Sequence, residues 1–276
     1  MEISELKHKI SLSDNYNLHS HTEFCDGKAP LADIVAAAAE NGFTLWGVTP
    51  HSPICVDSPC NMKSDEVETY MDKTARLRDQ YSDRMEILTG MEIDFISRDF
   101  GPHIDYFRNL PLAYRIGSVH FVPNQEGVPL DCDGSFDRFA RYLSDWYDGD
   151  LRYVVEKYFE QVLTMTELGG FEMLGHFDKI IGNAFQADPS LEDQHWYEAL
   201  VDDVISHAAD RGLIVEINTK AIETKGRFFP ARRWWPRLIE AGVTIAVNSD
   251  CHHPDLTNLG RREALKALAE LAELRH

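Results

Sequence analysis

The sequence predicts an α/β protein built on a parallel sheet, and two observations lead to this fold class. Short apolar or alternating runs recur along the 276-residue chain, and runs with helical spacing separate them. Histidines and carboxylates repeatedly follow the short runs, as they do at the carboxyl ends of strands in barrel enzymes. We expect the sheet to close into a distorted barrel one unit short of eight, and an open doubly wound sheet is the alternative.

The strands and helices are predicted from the spacing of apolar residues and from the positions of proline and glycine. The predicted strands are Tyr16–His19, Thr44–Thr49, Glu86–Phe95, Ile116–Val122, Phe171–Gly175, Leu213–Asn218 and Val243–Asn248. The predicted helices are Pro30–Glu40, Ser64–Gln80, Leu151–Leu168, Leu191–Arg211, Arg232–Ala241 and Arg261–Leu274. Proline suits the first turn of a helix and glycine its end, which sets the bounds at Pro30, Gly212 and Gly242.

The chain reads as one domain over residues 1–276. No linker rich in Gly, Ser or Pro, no low-complexity segment and no internal repeat divides it. Residues 123–150 are the best candidate for a loop excursion, because Gly, Pro and Asp cluster there.

Charge and composition exclude some classes of binding partner. The formal net charge of −19 argues against nucleic acid or an anionic membrane, which basic surfaces bind. A small phosphorylated substrate stays possible, because bound cations reverse the potential locally. The sequence has no apolar run long enough to span a membrane and no apolar signal-peptide core. The odd number of cysteines, five, is best explained by free thiols, so we expect a cytoplasmic protein.

Ligand-type side chains mark the ends of six predicted strands. His19 and His21 lie two apart, so both imidazoles point to one face, and Glu92 and Asp94 do the same. An isolated histidine is usually a surface or core residue, but the combined pattern predicts a metal cluster. The candidate ligands are His19, His21, Asp26, His51, Glu92, His120, His176, Asp250 and His252. Asp94, on the same face as Glu92, is a candidate substrate contact.

Other residues of the same types receive weaker or no roles. Asp94 has a second interpretation, as an acceptor that orients a ligand imidazole. His253 differs in parity from His252, and His103 lies in a loop that favours neither interpretation. We interpret the remaining histidines as solvated, namely His8, His195, His207 and His276.

Taken in order, these motifs resemble the polymerase-and-histidinol-phosphatase (PHP) superfamily over residues 16–260. The motifs are His19-x-His21, His51-Ser52-Pro53, Gly90-x-Glu92, Gly117-Ser118-Val119-His120, Gly175-His176-x-Asp178 and Ser249-Asp250-x-His252. Two stretches, 116–121 and 216–220, resemble the histidinol-phosphatase branch in particular.

The resemblance implies a distorted (β/α)7 barrel of the TIM type with a trinuclear metal site. It assigns one ion to His19, His21, Glu92 and Asp250, and a second to Glu92, His120 and His176. The third would take Asp26, His51 and His252. Many members carry Asp before the second-motif histidine, whereas Pro50 stands here, so support for His51 must come from elsewhere.

Imidazole and carboxylate ligands favour two to three Zn, Mn or Fe ions. Three divalent ions against three carboxylates leave the site at roughly +3, which suits a phosphate dianion. The resemblance points to hydrolysis of L-histidinol phosphate in histidine biosynthesis, with Glu92, Asp250 and His252 as catalytic residues. Lys220 and Arg227 are candidate phosphate clamps, His252 or water is the leaving-group acid, and Asp94 and Glu172 are candidates for an acidic wall facing a cationic amine.

Two other functions stay open. The chain could be a PHP phosphoesterase for another monoester, a cyclic phosphate or a nucleic-acid end. It could also be a non-catalytic, metal-stabilised module.

Overall fold

The computed structural model describes residues 1–273 and shows a nearly closed barrel of parallel strands surrounded by helices. In chain order, the strands of this part of the chain are β1 (Tyr16–Asn17), β2 (Leu45–Val48), β3 (Glu86–Asp94), β4 (Tyr114–Ser118), β5 (Phe121–Pro123), β6 (Pro129–Asp131), β7 (Met173–Leu174), β8 (Ile214–Asn218) and β9 (Thr244–Asn248). All except β5 and β6 form one parallel sheet in the order β1-β2-β3-β4-β7-β8-β9. The predicted distorted seven-unit barrel is confirmed.

Helices connect the strands and cover the sheet. Over the same residues they are α1 (Ile3–Leu12), α2 (Leu31–Glu40), α3 (Val67–Tyr81), α4 (Asp105–Arg108), α5 (Phe136–Trp146), α6 (Leu151–Leu168), α7 (Ile181–Ala187), α8 (His195–Asp210), α9 (Ile222–Lys225), α10 (Trp235–Glu240) and α11 (Arg261–Glu273). Among these helices, we find none with the length and apolar character that crossing a membrane requires.

All six predicted helices are present, and three of them begin with a 3-10 turn, at Ser64–Glu66, Leu191–Asp193 and Arg232–Trp234. The sequence patterns missed α1, which precedes the first strand, and α4, α5, α7 and α9, which lie in connecting segments. The predicted end of the last helix, Leu274, and the predicted solvated His276 lie outside the described residues.

Side chains close the barrel where the ladder stops. Within the predicted strand Tyr16–His19, only Tyr16 and Asn17 pair with β2. The Leu18 amide donates to Asn248 Oδ1 at 2.8 Å, and the Ser249 amide donates to Asn17 Oδ1 at 2.7 Å. A single parallel bridge, Ser20 to Cys251, joins the first and last strand segments directly. Asparagine amides therefore supply bonds that a backbone ladder would otherwise make.

One end of the barrel is a packed core and the other is open. Leu6 and Ile10 of α1 are buried with Tyr16, Leu18 and Tyr114 at the amino ends of the strands. This plug leaves the carboxyl ends as the face where connecting loops meet, as in other α/β barrels.

The segment after β4 differs from the prediction. The predicted strand Ile116–Val122 breaks after Ser118, and β5 then pairs antiparallel with β6 around a turn at Gly127, whose φ is 82°. The predicted loop 123–150 is ordered, because β6 and α5 lie within it. Strand-forming residues continue through the break at Val119, Phe121 and Val122, so the pattern of residues did not reveal it. We name residues 121–146 the excursion.

Candidate metal centre

The nine side chains predicted as metal ligands converge at the carboxyl ends of the strands. They are His19, His21, Asp26, His51, Glu92, His120, His176, Asp250 and His252. Most are buried, and Asp26 and His252 are partly exposed. Parallel strands place their carboxyl ends on one rim, so residues from six strand ends reach a common point.

Glu92 lies at the centre of this cluster. Its Oε2 atom is 3.1 Å from His19 Nε2 and 3.1 Å from His51 Nδ1. Its Oε1 atom is 3.0 Å from His176 Nε2 and 3.7 Å from His120 Nε2. The two oxygens of one carboxylate thus face two different sets of imidazoles.

A second part of the cluster surrounds Asp26. Its Oδ1 atom is 3.1 Å from His252 Nε2 and 3.9 Å from His51 Nε2. Because the other ring nitrogen of His51 faces Glu92, this imidazole stands between the two parts of the cluster. No carboxylate precedes His51, and the carboxylates that face it come from the loop after β1 and from β3.

Asp250 is held in an unusual backbone conformation. Its φ is 49°, in the left-handed region that non-glycine residues seldom adopt and that Asp and Asn tolerate best. The turn directs Oδ1 to within 3.0 Å of His21 Nε2. Such strain at a cluster of polar groups is typical of functional sites.

The donor atoms are arranged as a metal would require. Three groups have ligand atoms within 4.8 Å of one another: His19, His21 and Asp250; His51, Glu92 and His120; and His21, Asp26, His51 and His252. Within residues 1–273, five buried atoms of the cluster lack a hydrogen-bond partner, namely Asp26 Oδ1, His51 Nδ1, Glu92 Oε2, His176 Nδ1 and Asp250 Oδ1. Buried polar atoms without partners are costly, and bound cations would satisfy the oxygens. The cluster therefore fits divalent metal ions.

Carboxylates behind the cluster orient two of the imidazoles. His19 Nδ1 lies 2.7 Å from Glu216 Oε1, and His120 Nδ1 lies 2.7 Å from Asp94 Oδ1. A proton on each Nδ1 leaves Nε2 free to face the cluster, which is the usual support for a metal-binding histidine. Asp94 thus stands where its second interpretation placed it.

Glu216 is a site residue that the sequence analysis did not single out. Its carboxylate also accepts hydrogen bonds from the His176 amide at 3.1 Å and from the side chains of Asn218 and Asn248 at 3.2 and 3.0 Å. The signal was present, since a carboxylate between Val215 and Ile217 in a buried strand needs partners.

The pKa values favour a charged Glu92 and neutral imidazoles at His21, His51 and His176. Although burial opposes it, the surrounding imidazoles lower the pKa of Glu92 well below its usual range. Burial and the neighbouring His252 and His51 lower the pKa of His21, and burial also lowers those of His51 and His176. Carboxylates raise the pKa of His19 and His120 against the effect of burial, that of His120 to about 9. Metal ions bind the deprotonated forms.

Two lysines border the cluster. Lys220 Nζ is 3.6 Å from Asp250 Oδ1 and 3.1 Å from His252 Nε2. Lys179, which follows the fifth motif and was not predicted, is buried with Nζ 3.9 Å from Asp250 Oδ2 and 3.4 Å from Asp133 Oδ2. Both line the cavity above the metal cluster, together with residues of the excursion.

Two predicted substrate contacts lie elsewhere. Arg227 forms a salt bridge with Glu192 at 2.6 Å and packs over Phe185, lining a different cavity. The phosphate-clamp interpretation of Arg227 is therefore corrected, since its charge is neutralised away from the cluster. Glu172 precedes β7 and accepts the Arg115 amide at 2.7 Å, at the opposite end of the strands.

The other histidines of residues 1–273 lie outside the cluster. His103 contacts the Arg98 carbonyl, and His8, His195 and His253 are exposed. His207 contacts the Asp203 carbonyl of its own helix.

The chain is similar in sequence and in fold to proteins named histidinol-phosphatase. The chain is 24% identical over 258 residues to the probable histidinol-phosphatase of Schizosaccharomyces pombe, covering 87% of this chain and 81% of that protein. The crystal structure of a putative histidinol phosphatase from Listeria monocytogenes matches with a TM-score of 0.78 at 19% identity, over 90% of this chain and 99% of that one.

A third match is the structure of histidinol phosphate phosphatase from Lactococcus lactis, complexed with zinc, L-histidinol and phosphate. Its TM-score is 0.68 at 16% identity, with 93% of each chain covered. The model of the PHP domain matches residues 17–220, which is more than half of the chain. Asp250 and His252 lie beyond the matched span, yet they complete the same cluster. The chain belongs to the PHP domain family.

Proposed function

We propose that this protein is a metal-dependent phosphomonoesterase that hydrolyses L-histidinol phosphate to L-histidinol and phosphate in histidine biosynthesis. The observation that carries the proposal is the convergence of nine ligand-type side chains, with Glu92 at their centre, beside Lys179 and Lys220. The names of the relatives support the substrate, and the Lactococcus lactis structure, which holds zinc, L-histidinol and phosphate, supports the same reaction.

The cluster would hold two to three divalent ions, and Zn, Mn and Fe suit its imidazole and carboxylate donors. His19, His21 and Asp250 would hold one ion, His120 and His176 a second, and Asp26, His51 and His252 a third, with Glu92 shared between the first two. When bound, such ions acidify water to near neutrality and neutralise charge on phosphoryl oxygens.

The chain's own residues have distinct tasks in this proposal. Lys220 and Lys179 attract the phosphate dianion into an otherwise acidic protein. Glu92 and Asp250 hold the centre together as catalytic residues. A site water would protonate the leaving alkoxide when all three ions are bound, because His252 Nε2 then faces metal and its Nδ1 lies 2.9 Å from the Asp250 carbonyl. With the third ion absent, His252, beside Lys220 at the partly exposed edge, is the alternative acid.

The first experiment combines elemental analysis of the purified protein with a phosphate-release assay. We expect bound Zn, Mn or Fe, release of phosphate from L-histidinol phosphate, loss of activity on chelation and recovery when metal is restored. Short oligonucleotides serve as competing substrates. A clear preference for them would overturn the assigned substrate and favour the nucleic-acid-end alternative.

A substitution separates an enzyme from a non-catalytic metal module. Asp250→Asn removes a ligand charge but keeps the left-handed backbone, because Asn tolerates that conformation. We expect hydrolysis to be lost while the circular dichroism spectrum is retained. Asp137→Asn, at an exposed position on α5, is the matched control and should retain activity. Unchanged hydrolysis in Asp250→Asn would contradict a catalytic cluster.

A further inference from the structure

We propose that Asp133 recognises the amino group of the substrate, so that the site selects phosphomonoesters with a cationic amine on the carbon next to the ester carbon. This inference rests on the proposed function and assigns a specificity-determining residue to the same cavity. Asp133 belongs to the excursion and was not among the residues that the sequence singled out.

Asp133 sits on a well-supported turn between β6 and α5. Asp131 Oδ1 accepts hydrogen bonds from the backbone amides of Asp133 and Gly134, at 2.8 and 3.2 Å. The Asn183 side chain donates to the carbonyls of Cys132 and Gly134, at 3.0 and 2.9 Å. The turn is therefore fixed from both sides, and it presents the Asp133 side chain to the cavity above the metal cluster.

Asp133 carries a charge that the metal cluster does not use. None of the possible ligand groups found among residues 1–273 includes it. Its Oδ2 lies 3.4 Å from Lys179 Nζ, and the same ammonium lies 3.9 Å from Asp250 Oδ2. The cavity wall thus presents a cation next to the cluster and an anion one step further out.

The proposed substrate has the matching arrangement. In L-histidinol phosphate the phosphate ester and the ammonium stand on adjacent carbons, so their charges lie within about 5 Å of each other. A phosphate bound at the cluster attracts the Lys179 ammonium, which weakens the ion pair between Lys179 and Asp133. The substrate ammonium restores a partner to Asp133, whereas an uncharged alkyl phosphate leaves a partly buried carboxylate poorly compensated.

Other carboxylates nearby are already engaged. Asp131 binds the Arg138 guanidinium in addition to the two amides of the turn. Asp94 holds His120 and accepts from the Asn61 side chain at 3.1 Å. Asp133 is therefore the carboxylate of the cavity wall best placed to exchange its partner for a ligand.

The test compares L-histidinol phosphate with 3-(imidazol-4-yl)propyl phosphate, which lacks only the amine and therefore has no stereocentre. In the metal-loaded native protein we expect kcat/KM to favour the amine by at least about tenfold, the scale of one charge-assisted contact. In Asp133→Asn the ratio of the two kcat/KM values should fall at least tenfold, chiefly through the amine substrate. Asp133→Glu should recover part of the ratio, and Asp137→Asn should leave it unchanged.

The outcomes separate the two proposals. Equal turnover of both compounds by the native protein would overturn the role of Asp133 while leaving the phosphatase intact, and this arm needs no variant to fold. An equal loss on both compounds in Asp133→Asn would also overturn it, because it would mean that Asp133 only positions Lys179. If the native protein hydrolyses neither compound but does hydrolyse another phosphoester, the proposed substrate is wrong and this inference falls with it.

Discussion

Replacing Glu216 with glutamine keeps the shape of the side chain but converts one carboxylate oxygen into an NH2 group. Each oxygen of Glu216 accepts two hydrogen bonds in the folded protein. Oε1 accepts from His19 Nδ1 and the Asn248 side chain, and Oε2 accepts from the His176 amide and the Asn218 side chain. Whichever way the new amide is oriented, its NH2 group faces two donors.

The neighbours cannot relieve this conflict by rotating their own amides. Asn248 Oδ1 accepts from the Leu18 amide, and Asn218 Oδ1 accepts from the Lys220 amide. Leaving two buried donors unpaired costs about 1–3 kcal/mol each, so Glu216→Gln should lower the free energy of unfolding by about 2–6 kcal/mol. The loss of a carboxylate behind His19 should also weaken metal binding by about 10–100-fold.

Urea unfolding of the metal-free protein measures the first effect, and metal titration of the folded protein measures the second. Glu223→Gln, at an exposed position on α9, is the control and should change neither quantity. Unfolding within about 0.5 kcal/mol of the native value, together with unchanged metal affinity, would refute the hydrogen-bond argument.

Three further substitutions test separate parts of the structure. Gly47→Ala should lower the free energy of unfolding by about 1–3 kcal/mol, because the added Cβ would collide with the Tyr114 hydroxyl. In urea unfolding, the double variant with Tyr114→Phe should lose less free energy of unfolding than the sum of the two single variants. Arg227→Met should keep phosphate release near the native rate while lowering stability by about 1–3 kcal/mol, since Glu192 loses its partner; a large kinetic loss would restore the clamp hypothesis. Asp94→Asn should weaken metal binding about 10–100-fold in calorimetric titration, and native affinity would show that its contact to the imidazole does not matter.

Local pattern predicted most of the barrel because each strand and helix carries its own periodicity. Leu151–Leu168 was predicted to the residue, since a polar cap at Asp150 and Gly169 delimit it. The break after Ser118 was missed because strand-forming residues continue into β5, and only the partner of a strand distinguishes parallel from antiparallel pairing.

For the candidate site too, the sequence predicted some features and only the structure revealed others. Its ligand-type residues were recognisable because each stands at a strand end, where spacing of two places side chains on one face. The roles of Lys220 and Arg227 were indistinguishable in the sequence, because both are single cations near the last motifs. The structure separates them, as Lys220 faces Asp250 and Arg227 is paired with Glu192.

The sequence by itself determined the α/β class, the order of the seven barrel strands and six of the helices, and the set of side chains able to bind metal. Those properties depend on residue type and short-range spacing. Only the tertiary structure decided which carboxylate supports which imidazole and which charges share the cavity. His19 meets Glu216 across 197 residues of chain, and Lys179, beyond α6, meets Asp133 of the excursion. Such contacts arise from the closure of the barrel and the path of a loop over its rim, and no local pattern encodes them.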